Sequence, residues 1–369
     1  MNSEQEMKSV LVTGATGFIG QTLVRDLCRQ GVHVRILVRS RAKAEVFHNL
    51  PAGQIQVLDG DLDSIADKRG DLAGIDTVFH VAGLTREVRC GDFVRVNSES
   101  TVRLAECVRD INGPGGSPPV FVYISSLAAA GVACKLPRGG GFRPRSEEDY
   151  PQPVSPYGIS KCSAEQALAE LSDELPITII RPAIVFGEGD LHGLSLFRMA
   201  KKSLFFFTPG YRDREFSYIH VADLSRLILA AAQRGERLSQ HTFELIPGTE
   251  WRAREKYCTG QGVYFGAAPE RMPLSQYGKA LAAACGRKRV RAFRTPPVGV
   301  WIGAFGSEVV KKIRRSPTAF DLNKAVEAMT GPWICTSQKA ESQLKFTFDV
   351  PLAVRIQQTV AWYEQAGLL

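Results

Sequence analysis

At 369 residues, 44% hydrophobic and 23% charged, the chain can bury a substantial core in one large or two medium domains. Lys and Arg exceed Asp and Glu to give a net charge of +8, but the densest basic runs, Lys288-Arg289 and Lys311-Lys312-Ile313-Arg314-Arg315, are short and lack interleaved stacking aromatics, which argues against a nucleic-acid partner. Eight scattered cysteines show neither CxxC nor zinc spacing, the start Met1 to Glu6 is too polar and acidic for a signal peptide, and no uncharged apolar run is long enough to span a bilayer, so the expectation is a soluble, cytoplasmic protein with reduced thiols and no metal.

Ser9 to Thr13 is a short apolar, β-branched run of the buried parallel-strand kind. Gly14-Ala15-Thr16-Gly17-Phe18-Ile19-Gly20 follows directly, and an amphipathic helical segment from Gln21 to Gln30 ends at Gly31. Strand, glycines and helix in this order form a dinucleotide-binding turn. Gly14 permits the bend, Gly17 lets backbone N–H groups reach a pyrophosphate, and Gly20 lets helix and strand pack closely. A second strand, Val32 to Val38, ends at Arg39-Ser40-Arg41. An acidic residue there would bind the ribose 2′-hydroxyl of NAD, whereas Arg39, with Ser40, Arg41 and Lys43 in support, suits the 2′-phosphate of NADP.

Gln54 to Leu58 reads as a third strand, closed by Asp59-Gly60-Asp61-Leu62, and Thr77 to Val81 as a fourth, running into the small-residue turn Ala82-Gly83 that suits close approach of a cofactor. Helical periodicity returns from Asn97 to Arg109. Strand Val120 to Ile124 then delivers Ser125-Ser126 to a strand end, where ligands bind in open α/β sheets. Val132 to Pro156 reads as a long polar loop leading to a helix started by Ser155-Pro156. On that helix Tyr157 and Lys161 stand four residues apart and share a face, so the ammonium is expected to lower the phenol pKa towards the range of a proton donor and acceptor.

Ile177 to Ile180 is a further buried strand, followed by Arg181-Pro182-Ala183-Ile184-Val185-Phe186-Gly187. Beyond it the alternation loosens into aromatic and Pro-rich pieces mixed with helices such as Val221 to Gln233 and Leu352 to Glu364. Phe205 to Phe207, Trp301 and the stretch Val298 to Phe305 are most simply core. Lining an apolar pocket, or touching a membrane beside Lys311 to Arg315, is the alternative.

These motifs, from Lys8 to about Gln233 and in this order, resemble the extended short-chain dehydrogenase/reductases of the NAD-dependent epimerase/dehydratase superfamily. The cofactor loop is similar at Thr13 through Gly20, including Thr16, Phe18 and Ile19. Asp61-Leu62 resembles the adenine contact, Ala82-Gly83 the ribose-side turn and Asn97 the helix asparagine. Ser126 resembles the catalytic serine, Tyr157 and Lys161 the YxxxK pair, and Arg181 to Gly187, with Pro182, Ile184 and Val185, the segment along the nicotinamide. Tyr218-Ile219-His220-Val221-Ala222-Asp223 resembles a later strand-to-helix return.

The resemblance implies a Rossmann-type doubly wound parallel sheet over residues 1–185 with a return near 215–245, and a smaller mixed α/β C-terminal substrate domain over 186–369. Tyr157 would exchange a proton with the substrate oxygen, Lys161 would hold the nicotinamide ribose, and Ser126 would orient the oxygen. For Asn97, bonding to nearby backbone and a proton-relay role both stay open, and Arg181 is expected to be structural. Members acting on nucleotide sugars usually carry a pyrophosphate-binding arginine where this chain has Phe216, with Arg214 two residues away on the same strand face.

The C-terminal tail, Trp333 to Ala340 and on to Trp362-Tyr363, resembles the 3β-hydroxysteroid dehydrogenase-like and dihydroflavonol reductase-like branch, although Glu250 to Arg271 is longer than expected there. The resulting expectation is an NADP(H)-dependent alcohol dehydrogenase or ketone reductase for a hydrophobic sterol-, isoprenoid- or polycyclic-type substrate, with NAD(H) the lesser cofactor. A nucleotide-sugar epimerase or dehydratase and a non-catalytic NADP(H)-binding regulator are the rival readings. A homodimer is common in the family.

Overall fold

Seven parallel strands form one sheet in the order Val263–Gly266, Ile177–Pro182, Val120–Ile124, Thr77–His80, Ser9–Thr13, His33–Val38, Ile55–Asp59. The chain starts in the middle, builds outward through His33–Val38 to Ile55–Asp59, then crosses back to lay Thr77–His80 on the other side of Ser9–Thr13. That reversal opens a crevice at the carboxyl ends of Ser9–Thr13 and Thr77–His80, where doubly wound sheets bind ligands. Val120–Ile124 is buried at every position, as a strand covered by helices on both faces must be.

Helix Phe18–Arg29 buries Gly20, Leu23, Val24, Leu27 and Cys28, the three-and-four spacing of one helical face. Each of its large apolar side chains contributes about 2 kcal/mol on burial. It packs beside helix Val221–Arg234, where the Ser225 hydroxyl donates to Asp26 Oδ2 at 2.7 Å. On the opposite face of the sheet, helices Ser100–Arg109 and Pro156–Glu170 cover Leu11, Val78, Phe121 and Tyr123. Arg181 and Glu165 tie this layer to the sheet through a fully buried bidentate pair at 2.9 and 2.5 Å, so Arg181 is structural, as expected.

The structure is a computed structural model. It describes the chain except residues 1–6, 52, 87–88, 90, 113–115, 137–138, 204, 247–255, 288–289 and 315–321, and except the side chains of 309–314. The Met1 to Glu6 start, Cys90, Lys288-Arg289, Arg315 and the first part of Glu250 to Arg271 therefore lie outside the described residues. The later part of that last stretch supplies the edge strand Val263–Gly266 of the main sheet.

Val132 to Pro156 departs from a structureless loop. Cys134–Lys135 pairs antiparallel with Phe142–Arg143, and buried Arg145 donates to the Val132 carbonyl at 2.8 Å and the Tyr150 carbonyl at 3.0 Å. A guanidinium with several fixed donors can pin such a stretch without a regular element. The aromatic pieces also depart from expectation. Phe206 is buried against Gly278, whose added Cβ would lie 2.5 Å from its ring, but Phe205, Phe207, Val298, Ile302 and Phe305 are exposed rather than core. Among the described residues no helix is long and apolar enough to cross a membrane.

Candidate active site

The crevice at the sheet reversal is a cleft of about 750 Å3 lined by Gly14, Thr16, Gly17, Arg39, Asp61, Leu62, Ala82 and Gly83, all expected from sequence, together with Lys43, Val46, Asp92, Arg95 and Ser100. Gly14 has φ +68°, and a Cβ there would stand 2.6 Å from the Ala82 nitrogen, so the first and fourth strand ends meet over a glycine. At Gly20 a Cβ would fall 2.2 Å from the Gly14 carbonyl. No side chain caps helix Phe18–Arg29 and no carboxylate stands in its first turn, so its N-terminal N–H groups remain available to an anion. A dinucleotide fits these walls: a glycine turn with no room for side chains, an uncapped helix end, and Arg39 and Lys43 at the far rim.

Arg41 does not belong to this set. Its Nε donates to Asp59 Oδ2 at 2.5 Å, so it is turned to the neighbouring strand. Asp61 Oδ1 accepts from the Ser64 N–H at 2.9 Å, the Ser64 hydroxyl at 3.0 Å and the Asp63 N–H at 3.1 Å, and bonding from Ser64 holds its carboxyl below the ordinary value.

Behind the cleft, Asn97 lies fully buried in a π-helical turn, Val94–Glu99. Its side-chain oxygen accepts from the Leu84 N–H at 2.7 Å, and its amide donates to the Leu84 carbonyl at 2.9 Å and to Ser160 Oγ at 3.1 Å. Its side chain thus staples the chain just after the Ala82-Gly83 turn to the Tyr157 helix. Lys161 is buried on that helix, donating to the Ile124 carbonyl at 2.9 Å and lying 4.7 Å over the Tyr123 ring. A Cβ on Gly83 would stand 3.1 Å from its Nζ, so glycine leaves the ammonium room against the turn.

The helix begins as its sequence signals. Ser155 Oγ accepts from the Gly158 N–H at 3.1 Å and Pro156 takes the first position. Ser126, just past the end of Val120–Ile124, caps the short helix Leu127–Ala130 and is close enough to the Tyr157 phenol to act on its pKa. The phenol pKa runs against expectation: desolvation pushes it up to about 12, Ser126 pulls it down and the Glu327 carboxylate pushes it up. The Lys161 ammonium bonds the Ile124 carbonyl and lies over the Tyr123 face, and its own pKa falls to about 8 through desolvation, countered by Glu165.

Like Ser126, Tyr157 and Lys161, the residues Pro182, Ile184 and Val185 stand outside the set that lines the cleft. Ile184–Phe186 pairs with Tyr218–His220, and Ala183 packs in a cluster with Leu127, Ala128, Phe265 and Trp333, against which Tyr157, Val132, Val154 and Phe216 are laid. Helix Leu322–Thr330 closes this side, a feature sequence reasoning missed. Lys324 Nζ is 5.6 Å from the Tyr157 ring centre, and the Ser155 hydroxyl donates to Glu327 Oε1 at 2.7 Å. Arg214 anchors that helix by donating to the carbonyls of Ala328 at 2.7 Å and Met329 at 2.9 Å.

The profile of the NAD dependent epimerase/dehydratase family matches residues 10–245. The chain belongs to this family. Its members and structural neighbours are NAD(P)-dependent oxidoreductases, epimerases and dehydratases of the extended short-chain dehydrogenase type, and the chain is an enzyme of that type. It is 26% identical over 361 residues to the ceramide reductase of Caulobacter vibrioides, covering 98% of this chain and 96% of that protein. It is 33% identical over 251 residues to a putative dihydroflavonol 4-reductase of Synechocystis sp., covering 65% and 67%. Among solved structures it resembles a UDP-glucuronic acid 4-epimerase variant from Bacillus cereus in complex with UDP-4-deoxy-4-fluoro-glucuronic acid and NAD, with TM-score 0.69, 20% identity and coverage of 97% and 99%, a likeness of fold.

Proposed function

We propose that the protein is an NADP-dependent reductase of a ketone on a hydrophobic, lipid-sized substrate. The observation that carries this reading is the wall around Tyr157. Phe216, Val132, Val154 and Trp333 stand together there, and Arg214, two residues before Phe216, has given its guanidinium to two helix carbonyls. A nucleotide sugar would meet a largely apolar surface on which Arg214 is already engaged and Lys324 is paired with Glu327. The relative named a ceramide reductase supports the same substrate class, because its match runs past residue 245 through the C-terminal region that shapes this wall.

When bound, the nicotinamide cofactor supplies hydride to the carbonyl carbon. Gly14, Gly17 and the N-terminal turn from Phe18 would hold its pyrophosphate, and Arg39 with Lys43 would take the 2′-phosphate. Tyr157, protonated at neutral pH because its pKa lies near 12, is set to give its proton to the carbonyl oxygen. Ser126, beside the phenol, would orient that oxygen through its own hydroxyl. Lys161 and Asn97 fix the Ala82-Gly83 turn against the Tyr157 helix.

The test is consumption of NADPH and of NADH by purified protein with a panel of long-chain and polycyclic ketones. NADPH oxidation that depends on an apolar ketone is expected. Turnover of a nucleotide sugar with no net change in nicotinamide absorbance would replace this reading with the epimerase one.

A further inference from the structure

Two segments remote in sequence meet as parallel strands, Phe205–Pro209 and Arg291–Thr295, with Phe205 opposite Arg291 and Phe207 opposite Phe293. Their inner face is core at Phe206. Their outer face carries Phe205, Phe207 and Phe293, 40 to 56% exposed, with Phe293 centred 5.0 Å from Phe205 and 6.5 Å from Phe207. Two residues on, helix Pro297–Arg314 repeats the pattern. Val300 and Ala304 pack against Ala325, while Val298, Ile302 and Phe305, at i, i+4 and i+7, form an apolar stripe on the other side with each residue more than half exposed. Exposed apolar side chains ordered by both a strand period and a helix period are a surface feature, not scattered singles.

The charge around them is mainly positive, with Lys201 paired to Glu364 and Glu308 three residues past Phe305 on helix Pro297–Arg314. Among the described residues of 198–212 and 287–305 there are seven lysines and arginines and no aspartate or glutamate, close to the whole net charge of +8. Lys202, Arg212, Arg291 and Arg294 are exposed, and Tyr211, 68% exposed, adds an amphipathic ring of the kind that settles at lipid headgroups.

We propose that this surface docks the protein on an anionic lipid bilayer, with the phenylalanines and the Val298, Ile302, Phe305 stripe entering the acyl boundary and the basic residues meeting headgroup phosphates. Cations and aromatics interleaved around an apolar stripe complement that occupant. The protein lies on the membrane rather than across it, in keeping with the absence of a spanning helix among the described residues. The docking helix packs on Leu322–Thr330, the helix that carries Lys324 beside Tyr157, so the bilayer contact and the reaction site share one support. The docking itself does not rest on the reaction proposed above.

The experiment is co-sedimentation of the full chain with vesicles of phosphatidylcholine alone and of phosphatidylcholine with phosphatidylglycerol. Binding to the second, weakened by salt, and little binding to the first are expected. Arg291→Gln with Arg294→Gln should lower the partition by about tenfold or more, since each cation at an anionic surface contributes about fivefold. The triple change Phe207→Ser, Ile302→Ser, Phe305→Ser should lower it by at least about tenfold. Both variants should keep the parent's melting temperature and NADPH affinity, which separates lost docking from lost folding or a failed reaction assignment. The proposal is overturned if neither vesicle binds, if the triple variant binds as the parent does, if RNA retains the protein and vesicles do not, or if the parent is a dimer that the triple change makes monomeric.

Discussion

Tyr157 sits where burial raises its proton affinity. A phenol held near 12 is a donor at neutral pH, so Tyr157→Phe should reduce kcat for ketone reduction by about 1,000-fold while NADPH affinity stays put, as stopped-flow and fluorescence titration would report. His80, which the sequence did not single out, is a second residue governed by burial. Its Nδ1 faces Thr13 Oγ1 at 2.7 Å and its Nε2 faces Thr101 Oγ1 at 2.8 Å, and desolvation, then Lys161, lowers its pKa from 6.5 to about 3. Between those values the unfolded chain binds a proton that the folded one refuses, so stability present above the unfolded value is lost as pH falls. Denaturant titrations should show about 2 kcal/mol less stability at about pH 5 than at about pH 7, and His80→Gln should flatten that slope.

At the scale of elements, the glycine turn and the Arg181–Glu165 tie can each be broken separately. Gly20→Ala places a methyl 2.2 Å from the Gly14 carbonyl, against backbone that cannot yield cheaply. A loss of about 1–3 kcal/mol with weaker NADPH binding is expected, measured by thermal unfolding with and without cofactor. Arg181→Met alone leaves the Glu165 carboxylate buried without its partner and should cost about 3–5 kcal/mol, whereas Arg181→Met with Glu165→Leu should recover most of it. Equal destabilisation by the single and double changes would show that packing, not charge, matters there. Elements with a local signature were legible: Val120 to Ile124 coincides with its strand, and Ser155-Pro156 starts its helix. Edge strand Val263–Gly266 carried no comparable signal, because four apolar residues suit a strand or a core helix equally until a neighbour strand fixes them.

Across the whole molecule, the reaction side of Tyr157 is assembled from residues far apart in sequence. Helix Leu322–Thr330 brings Lys324 and Glu327 to the Tyr157 helix, and Arg214 holds it from the strand Glu215–His220 side. Arg214→Ala should therefore raise KM for an apolar ketone by about tenfold through a loosened wall while leaving NADPH affinity unchanged, as steady-state kinetics would show. An unchanged KM would mean that Trp333, which donates to the Glu327 carbonyl at 2.7 Å, secures the helix alone.

By itself the sequence determined the family, the doubly wound sheet and the residues of the cofactor turn, because glycine spacing, strand hydrophobicity and helix starts are written in a few consecutive residues. Only the tertiary structure decided that Lys161 is spent on a carbonyl and an aromatic face, that Arg214 clamps a helix, that Arg41 faces Asp59, and that Phe205, Phe207 and the Val298 to Phe305 stripe meet solvent. Each of these turns on which group the fold brings in from elsewhere in the chain, 18 residues away for Arg41 and 114 for Arg214, and burial and partnership, unlike periodicity, are properties of that neighbour as much as of the residue.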